Sequence, residues 1–429
     1  MGWIERIKGF ILKKSFDFDR PDICLYNFHP QLRILFALKG IFFNKQNSKL
    51  KIILPTYFNL LTILGMVFEG MFAHRGLTIK DYSFAIESFL YFIILTSTPL
   101  VYLCLFYHKD KIIQLLDDMN EEFKFVCSLG PRHRTPFLKG QLLIWKLCYA
   151  WYTLSISTGT AFMMFPVMAL VYQTLFVTHT EKTIRPLAFT MWLPNDDPYR
   201  TPNYEIFLFF EMNYCVIIVQ TFGVYIYTLF HLLLHHYFIL DMMILDFEAI
   251  FDGLDESVAA LPSKHPRRRE VQLILNARIK RIVTWHNSVI KTINTLSIVY
   301  KPALVFQILL SSIMVCLIGY QIAESLDNGV IDFLFIMLGV CTCMQVWIPC
   351  YLGTLLRNKV FAVREACWNC GWHRNSLGTL IRLDILIIIQ RTQVPLLIKL
   401  SDMSTVELET FSSIMSAAYS YFNMLRNSN

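Results

Sequence analysis

The chain has 429 residues, of which 55% are hydrophobic and only 17% are charged. A soluble domain of this size carries about 25% charged residues, so an ordinary soluble globular protein is excluded. The net charge of +7 comes without a basic stripe interleaved with aromatics, which argues against a nucleic-acid partner and assigns the excess to loops that orient a membrane protein.

Residues 1–51 carry ten Lys/Arg and four Asp/Glu, with no long apolar core before Ile52. They read as a cytoplasmic N-terminal segment, not as a cleavable signal peptide. A helix needs about 20 apolar residues to cross the hydrocarbon core. The first two candidate spans cover 52–73 and 84–107. The third covers 147–176, within a stretch free of Asp, Glu, Lys and Arg from Lys146 to Glu181. The fourth begins near Ile206 and stays uncharged from Met212 to Leu240; that is too long for one crossing, so its inner end should project from the bilayer. The fifth covers 303–323 and the sixth 333–356. The last, 406–425, is shorter and holds Ser412, Ser413, Ser416 and Ser420. Residues 52–356 thus form a six-helix unit, 357–403 a cytoplasmic connection, and 404–429 the last crossing.

Between the spans, Lys plus Arg number ten in the N-terminal segment, seven in 108–146, nine in 241–302 and four in 357–374. The intervening loops 74–83, 177–205 and 324–332 hold two, three and none. By the positive-inside rule the N-terminus is cytoplasmic, and seven crossings put the C-terminus outside. A G-protein-coupled receptor has the opposite orientation. Segment 377–400 is apolar but contains Arg382, Asp384, Arg391 and Lys399. Each charge would cost about 2.5–3.5 kcal/mol in lipid, so we read a helix buried in protein near the inner face. If it crosses, there are eight spans and the C-terminus is inside.

Enzyme motifs are sparse. His231, His235 and His236 resemble one box of a membrane desaturase, but the other eight histidines are scattered singly, whereas a di-iron site needs several boxes. Cys367, Cys370 and His373 supply half of a zinc ligand set. The chain carries no phosphate loop, nucleophile elbow or HExxH helix, so neither catalysis nor a cofactor or metal is expected. Most of the eleven cysteines lie in apolar runs and read as small buried residues. Glu69, Glu87 and Glu211 fall near outer span ends, where they should reach water. The turn-rich stretch from Trp192 to Tyr204 is either a plain connector or a lid over an outer pocket. Ser413, Ser416 and Ser420 share one face of the last helix, which is either a packing seam or a wet pore wall.

The C-terminal stretches Arg391-Thr392-Gln393-Val394-Pro395, Val406-Glu407-Leu408-Glu409-Thr410-Phe411 and Ser420-Tyr421-Phe422-Asn423-Met424-Leu425 resemble the signature end of insect odorant receptors. The resemblance extends along the chain in length, span order and inverted topology. Leu54-Pro55-Thr56-Tyr57, Leu129-Gly130-Pro131-Arg132-His133-Arg134 and Pro198-Tyr199-Arg200-Thr201-Pro202-Asn203-Tyr204 are similar to the moth pheromone-receptor branch, as is the stretch from Tyr82 to Phe89.

The resemblance implies an all-α, seven-span subunit of a tetrameric odorant-gated cation channel. It would assemble with a shared coreceptor in the plasma membrane, on the dendrites of olfactory sensory neurons. The last helix would line the pore and 357–403 would anchor the subunits. Ser420, Met424, Asn427 and Ser428 would then line the pore, with the gate at Met424. An outer pocket would take a volatile hydrophobic ligand: a long-chain unsaturated fatty alcohol, aldehyde or acetate. By helix position its candidate lining is Ser88, Tyr91 and Phe92 on the second span, and Met163, Phe165 and Met168 on the third. The fourth contributes Phe209, Met212 and Asn213, and the sixth Met337 and Cys341. Ser88 or Asn213 would read the polar end of the ligand. A gustatory or general odorant receptor shares these expectations apart from the ligand, and a lipid transporter or membrane enzyme is the more distant alternative.

Overall fold

The computed structural model describes residues 2–39, 50–176, 185–189, 191–194, 196–399 and 405–427. Three short helices come first: α1 (Trp3–Ile11), α2 (Leu25–Phe28) and α3 (Gln31–Leu38). The long elements are α4 (Leu50–Ile79), α5 (Tyr82–Tyr107), α6 (Lys109–Ser128), α7 (Pro131–Phe176), α8 (Asn203–Glu248), α9 (Pro266–Asp327) and α10 (Phe333–Asn369). The chain closes with α11 (Arg382–Thr392) and α12 (Leu408–Asn427).

Local chemistry sets several of these boundaries. The Asp81 carboxylate accepts from the Phe84 amide at 3.1 Å and starts α5. The Asp332 carboxylate accepts from the amides of Leu334 and Phe335 and starts α10. Such caps satisfy orphan amides at helix N-termini. Gly130 at φ 95° and Gly329 at φ 76° end α6 and α9 in the left-handed region, where a Cβ would be strained.

Six helices among the described residues are long and apolar enough to cross a membrane: α4, α5, α7, α8, α9 and α10. The expected seventh crossing corresponds to α12. Its 20 residues include four serines, Glu409 and Arg426, so length and apolarity alone do not mark it as a span. Helices α7, α8 and α9 are each far longer than one crossing needs. At 1.5 Å per residue, the 46 residues of α7 and of α8 reach about 69 Å and the 62 residues of α9 about 93 Å. A hydrocarbon core is only about 30 Å thick. The extension of α8 matches expectation. The early starts of α7 and α9 were hidden in charged, amphipathic sequence.

Helix α8 is the centre of the molecule, packing on α7, α10, α9 and α5. From Gly223 to His236 nearly every side chain on it is buried. His231, His235 and His236 lie here as interior residues, not at an interface. His235 bridges Gln141 (3.2 Å) and Glu122 (3.3 Å), and the His236 ring bonds the Leu232 carbonyl and the Thr292 hydroxyl. No group of three or more metal-ligating side chains occurs among the described residues. All eleven cysteines are free.

Segment 377–400 contains a helix too short to cross, as expected, but the helix is shorter and less buried than the expectation. It holds a single turn and then α11, whose 11 residues span only about 16 Å, too short to cross. Ile385, Ile388 and Thr392 face inward against α10, while Leu383 and Ile387 are exposed, so the helix is buried on one side only. A short antiparallel bridge between Lys399 and Thr405 leads into α12. There Arg357 on α10 pairs with Glu407 at 2.6 Å, and the Leu408 amide donates to Thr354.

Candidate functional site

A cavity of about 130 Å³ lies among α5, α7, α8, α9 and α10. Its walls are apolar: Ile94, Phe162, Phe222, Phe306, Leu310 and Val346 are representative. Gly159 makes room on α7, because a Cβ there would sit 2.4 Å from the Val219 side chain. At about 30 Å³ for each water's share of liquid volume, the space holds roughly four such groups.

The helix directions give the cavity two ends. Tyr91, Phe162, Phe189 and Met314 lie toward the α7–α8 connection, and Val101, Trp151, Ala303 and Val346 lie away from it. From Ala303 to Met314 the wall of α9 rises about 16 Å.

The near end is roofed. Phe189 is buried, with its ring 4.4 Å from Tyr91 and 6.1 Å from Phe162. Its backbone is pinned by Glu211, whose carboxyl oxygens accept from the amides of Ala188 (3.2 Å) and Phe189 (2.8 Å). The Tyr91 hydroxyl donates to the Ala188 carbonyl at 3.0 Å. The roof is therefore the stretch at 187–189, not the turn-rich stretch after Trp192. In the latter, Asp196 and Asp197 bond Asn203 in an exposed cluster. Glu211 was expected to reach water, as was Glu69; both are buried. A carboxyl group in apolar surroundings requires donors, and for Glu211 the roof supplies them.

Of the eleven residues singled out from helix position, the structure brings Tyr91 and Cys341 into the cavity wall. Ser88 is buried outside this lining, and Phe92 lies against Gly70. Met163, Met212 and Met337 are partly buried outside it. Phe165, Met168 and Phe209 point outward, Met168 being 64% exposed. Asn213 accepts from the Tyr57 hydroxyl at 2.5 Å and donates to the Phe209 carbonyl, so its polar groups are engaged elsewhere.

Residues that helix position did not suggest include Phe189, Trp151 and Gln307. For Gln307 a signal existed: an uncharged polar side chain within an apolar run is costly in lipid and faces the protein interior.

On α12, Ile414 and Ala418 are buried and the helix packs on α9 and α10. Glu409, Ser413, Ser416, Ser420, Met424 and Asn427 are exposed and recur at helical spacing, so they make one unpartnered stripe. The expected position Ser428 lies outside the described residues.

Residues 81–419 match a family model described as 7tm Odorant receptor. Odorant receptor 13a of Drosophila melanogaster is 26% identical over 160 residues, covering 35% of this chain and 38% of that protein. The odorant receptor coreceptor of Anopheles gambiae is 28% identical over 158 residues, 37% of this chain and 32% of its own length. The match thus spans about a third of the length of these relatives. The solved olfactory receptor OR5 from Machilis hrabei in complex with eugenol superposes with TM-score 0.74, covering 94% of this chain and 99% of that one. Its identity is 14%, so that likeness concerns the fold.

Proposed function

The chain belongs to the insect odorant receptor family, and on that premise we propose that it is the ligand-selective subunit of a heteromeric odorant-gated cation channel. The observation that carries this reading is the roofed apolar cavity in the helix bundle. Apolar walls supply affinity at about 0.8 kcal/mol per buried methylene and leave selectivity to a few polar groups.

The N-terminus is cytoplasmic by the charge asymmetry of the loops. Four subunits, this chain and an odorant receptor coreceptor, surround a pore. The exposed stripe of α12 supports its role as pore wall, with Ser420 and Asn427 wet and Met424 as an apolar constriction that closes by dewetting. Segment 357–403 anchors the subunits, and the complex sits in the dendritic membrane of olfactory neurons. Ligand binding shifts the channel only by its differential affinity for the open and closed states. The link from cavity to pore runs along α10, which contributes Cys341 to one and Arg357 to the junction with α12.

The ligand class is the moth pheromone type, a long-chain unsaturated alcohol, aldehyde or acetate. A general odorant is the second reading. It is favoured by the cavity's size, since room for roughly four water-sized groups is short for a long chain unless the walls move.

The test is an outside-out patch from cells expressing this chain with a coreceptor, in solution free of GTP. Rapid cation current to fatty alcohols, aldehydes or acetates, altered by Met424→Ala, supports the pheromone reading. Current only to compact volatiles selects the general odorant reading. No current to either set, with surface expression verified, refutes the channel role.

A further inference from the structure

Two residues toward the far end of the cavity carry polar atoms without a partner among the described residues. Most polar groups in its wall are spent. Ser97 donates to the Ile94 carbonyl, Ser155 to Trp151, Ser311 to Ile308 and Thr342 to Leu338. Thr158 bonds the Leu154 carbonyl and the Cys341 thiol. Tyr91 donates to the roof.

Two buried polar atoms on lining residues have no partner among the described residues: the indole nitrogen Nε1 of Trp151 and the amide oxygen Oε1 of Gln307. One is a pure donor and the other a pure acceptor. The orientation of the Gln307 amide is set by its other half, because Nε2 donates to the Gln345 carbonyl at 2.9 Å. That carbonyl cannot donate in return, so Oε1 is the end left over. Trp151 is only 5% exposed, and an unpaired buried polar group costs about 1–3 kcal/mol. Two such groups in the wall of one cavity, at the end remote from the roof, are most simply explained by a partner that arrives with the ligand.

We propose that Trp151 and Gln307 form the head-group subsite of this cavity and that it selects a primary alcohol. The hydroxyl oxygen accepts from Trp151 Nε1–H and the hydroxyl proton is donated to Gln307 Oε1. The hydrocarbon tail runs along α9 toward Phe189. An aldehyde or acetate satisfies the donor but leaves Oε1 unpaired, and an alkane satisfies neither. This assignment rests on the cavity being the odorant site and narrows the ligand class proposed above.

The experiment compares an alcohol, aldehyde, acetate and alkane of the same chain on wild type, Trp151→Phe and Gln307→Met, by receptor current with a coreceptor. The alcohol is expected to act at about ten- to hundredfold lower concentration than the aldehyde on wild type. Gln307→Met erases that preference by weakening the alcohol alone. Trp151→Phe weakens alcohol and aldehyde together. Asn213→Leu is the control, and leaves the preference in place because its side chain lies outside the cavity lining and bonds Tyr57. A wild type that prefers aldehyde or acetate, a preference unchanged in Gln307→Met, or one lost in Asn213→Leu instead overturns the assignment.

A parallel thermal-shift measurement on purified protein separates this proposal from the channel reading. Alcohol-specific stabilisation that Gln307→Met removes, without current in any variant, keeps the subsite and rejects the channel role. Absence of both rejects both.

Discussion

Removing the Glu211 carboxyl should open the roof of the cavity. Glu211→Ala leaves the buried amides of Ala188 and Phe189 without their acceptor. At about 1–3 kcal/mol for each unsatisfied donor, the closed roof loses roughly 2–6 kcal/mol. With about 1.4 kcal/mol per factor of ten, the ratio of closed to open roof falls about 30-fold at the low end. The ring of Phe189 between Tyr91 and Phe162, together with the Tyr91–Ala188 bond, keeps the roof from detaching altogether. Cys215 and Cys341 line the cavity beneath and serve as reporters. The assay is the rate at which a water-soluble maleimide alkylates these two thiols, read by peptide mass spectrometry. We expect an increase of about tenfold or more for Glu211→Ala, and a small one for Glu211→Gln, whose amide oxygen can still accept. Equal rates in wild type and Glu211→Ala, at matched thermal stability, would refute the reasoning that this carboxyl holds the roof.

Three further outcomes follow from the packing. Arg357→Gln strands the Glu407 carboxylate, which is 8% exposed, and should cost about 3–5 kcal/mol; the double variant with Glu407→Gln should recover part of the lost thermal stability, and no recovery would deny that the pair is coupled. Gly353→Ala places a Cβ 2.0 Å from the Val406 carbonyl oxygen, so the junction of α10 with α12 must shift, at about 1–3 kcal/mol; a variant as stable as wild type in a melting assay contradicts that contact.

The third outcome concerns pH. Burial of the Lys39 ammonium pushes its pKa down to about 7, with Nζ 2.6 Å from the Thr221 hydroxyl. The unfolded chain keeps this proton up to about pH 10.4, so between those values it binds more protons than the folded protein and stability rises with pH. Lys13, lowered by burial to about 8, adds a similar slope over a narrower window. Lys39→Met should remove up to one proton's share of that slope, about 1.4 kcal/mol per pH unit, between pH 7 and 10; melting curves at stepped pH measure it, and an unchanged slope rejects the assignment.

The sequence alone located the six helices long and apolar enough to cross a bilayer, because backbone groups in lipid must be satisfied within a helix and the uncharged runs announce where that happens. It also put Ser413, Ser416 and Ser420 on one face of α12 but left open whether that face packs; the structure buries Ile414 and Ala418 and leaves the serines exposed. On α5, α7, α8 and α10 the same reasoning named candidates by helix position and had no means to give their direction. A helix apolar on every side has no amphipathic stripe, so Met168 toward the outside and Tyr91 toward the cavity look alike in one dimension. Only tertiary packing decided that Tyr91 and Cys341 line the cavity while Phe209 does not. Packing also turned Glu211 from an expected interfacial charge into the clasp of the roof, because its amide partners at 188 and 189 lie across a chain reversal that no local pattern encodes. The reach of α7 and α9 beyond the membrane was likewise settled by packing, since their charged, amphipathic ends gain most of their helical stability from the surfaces they cover.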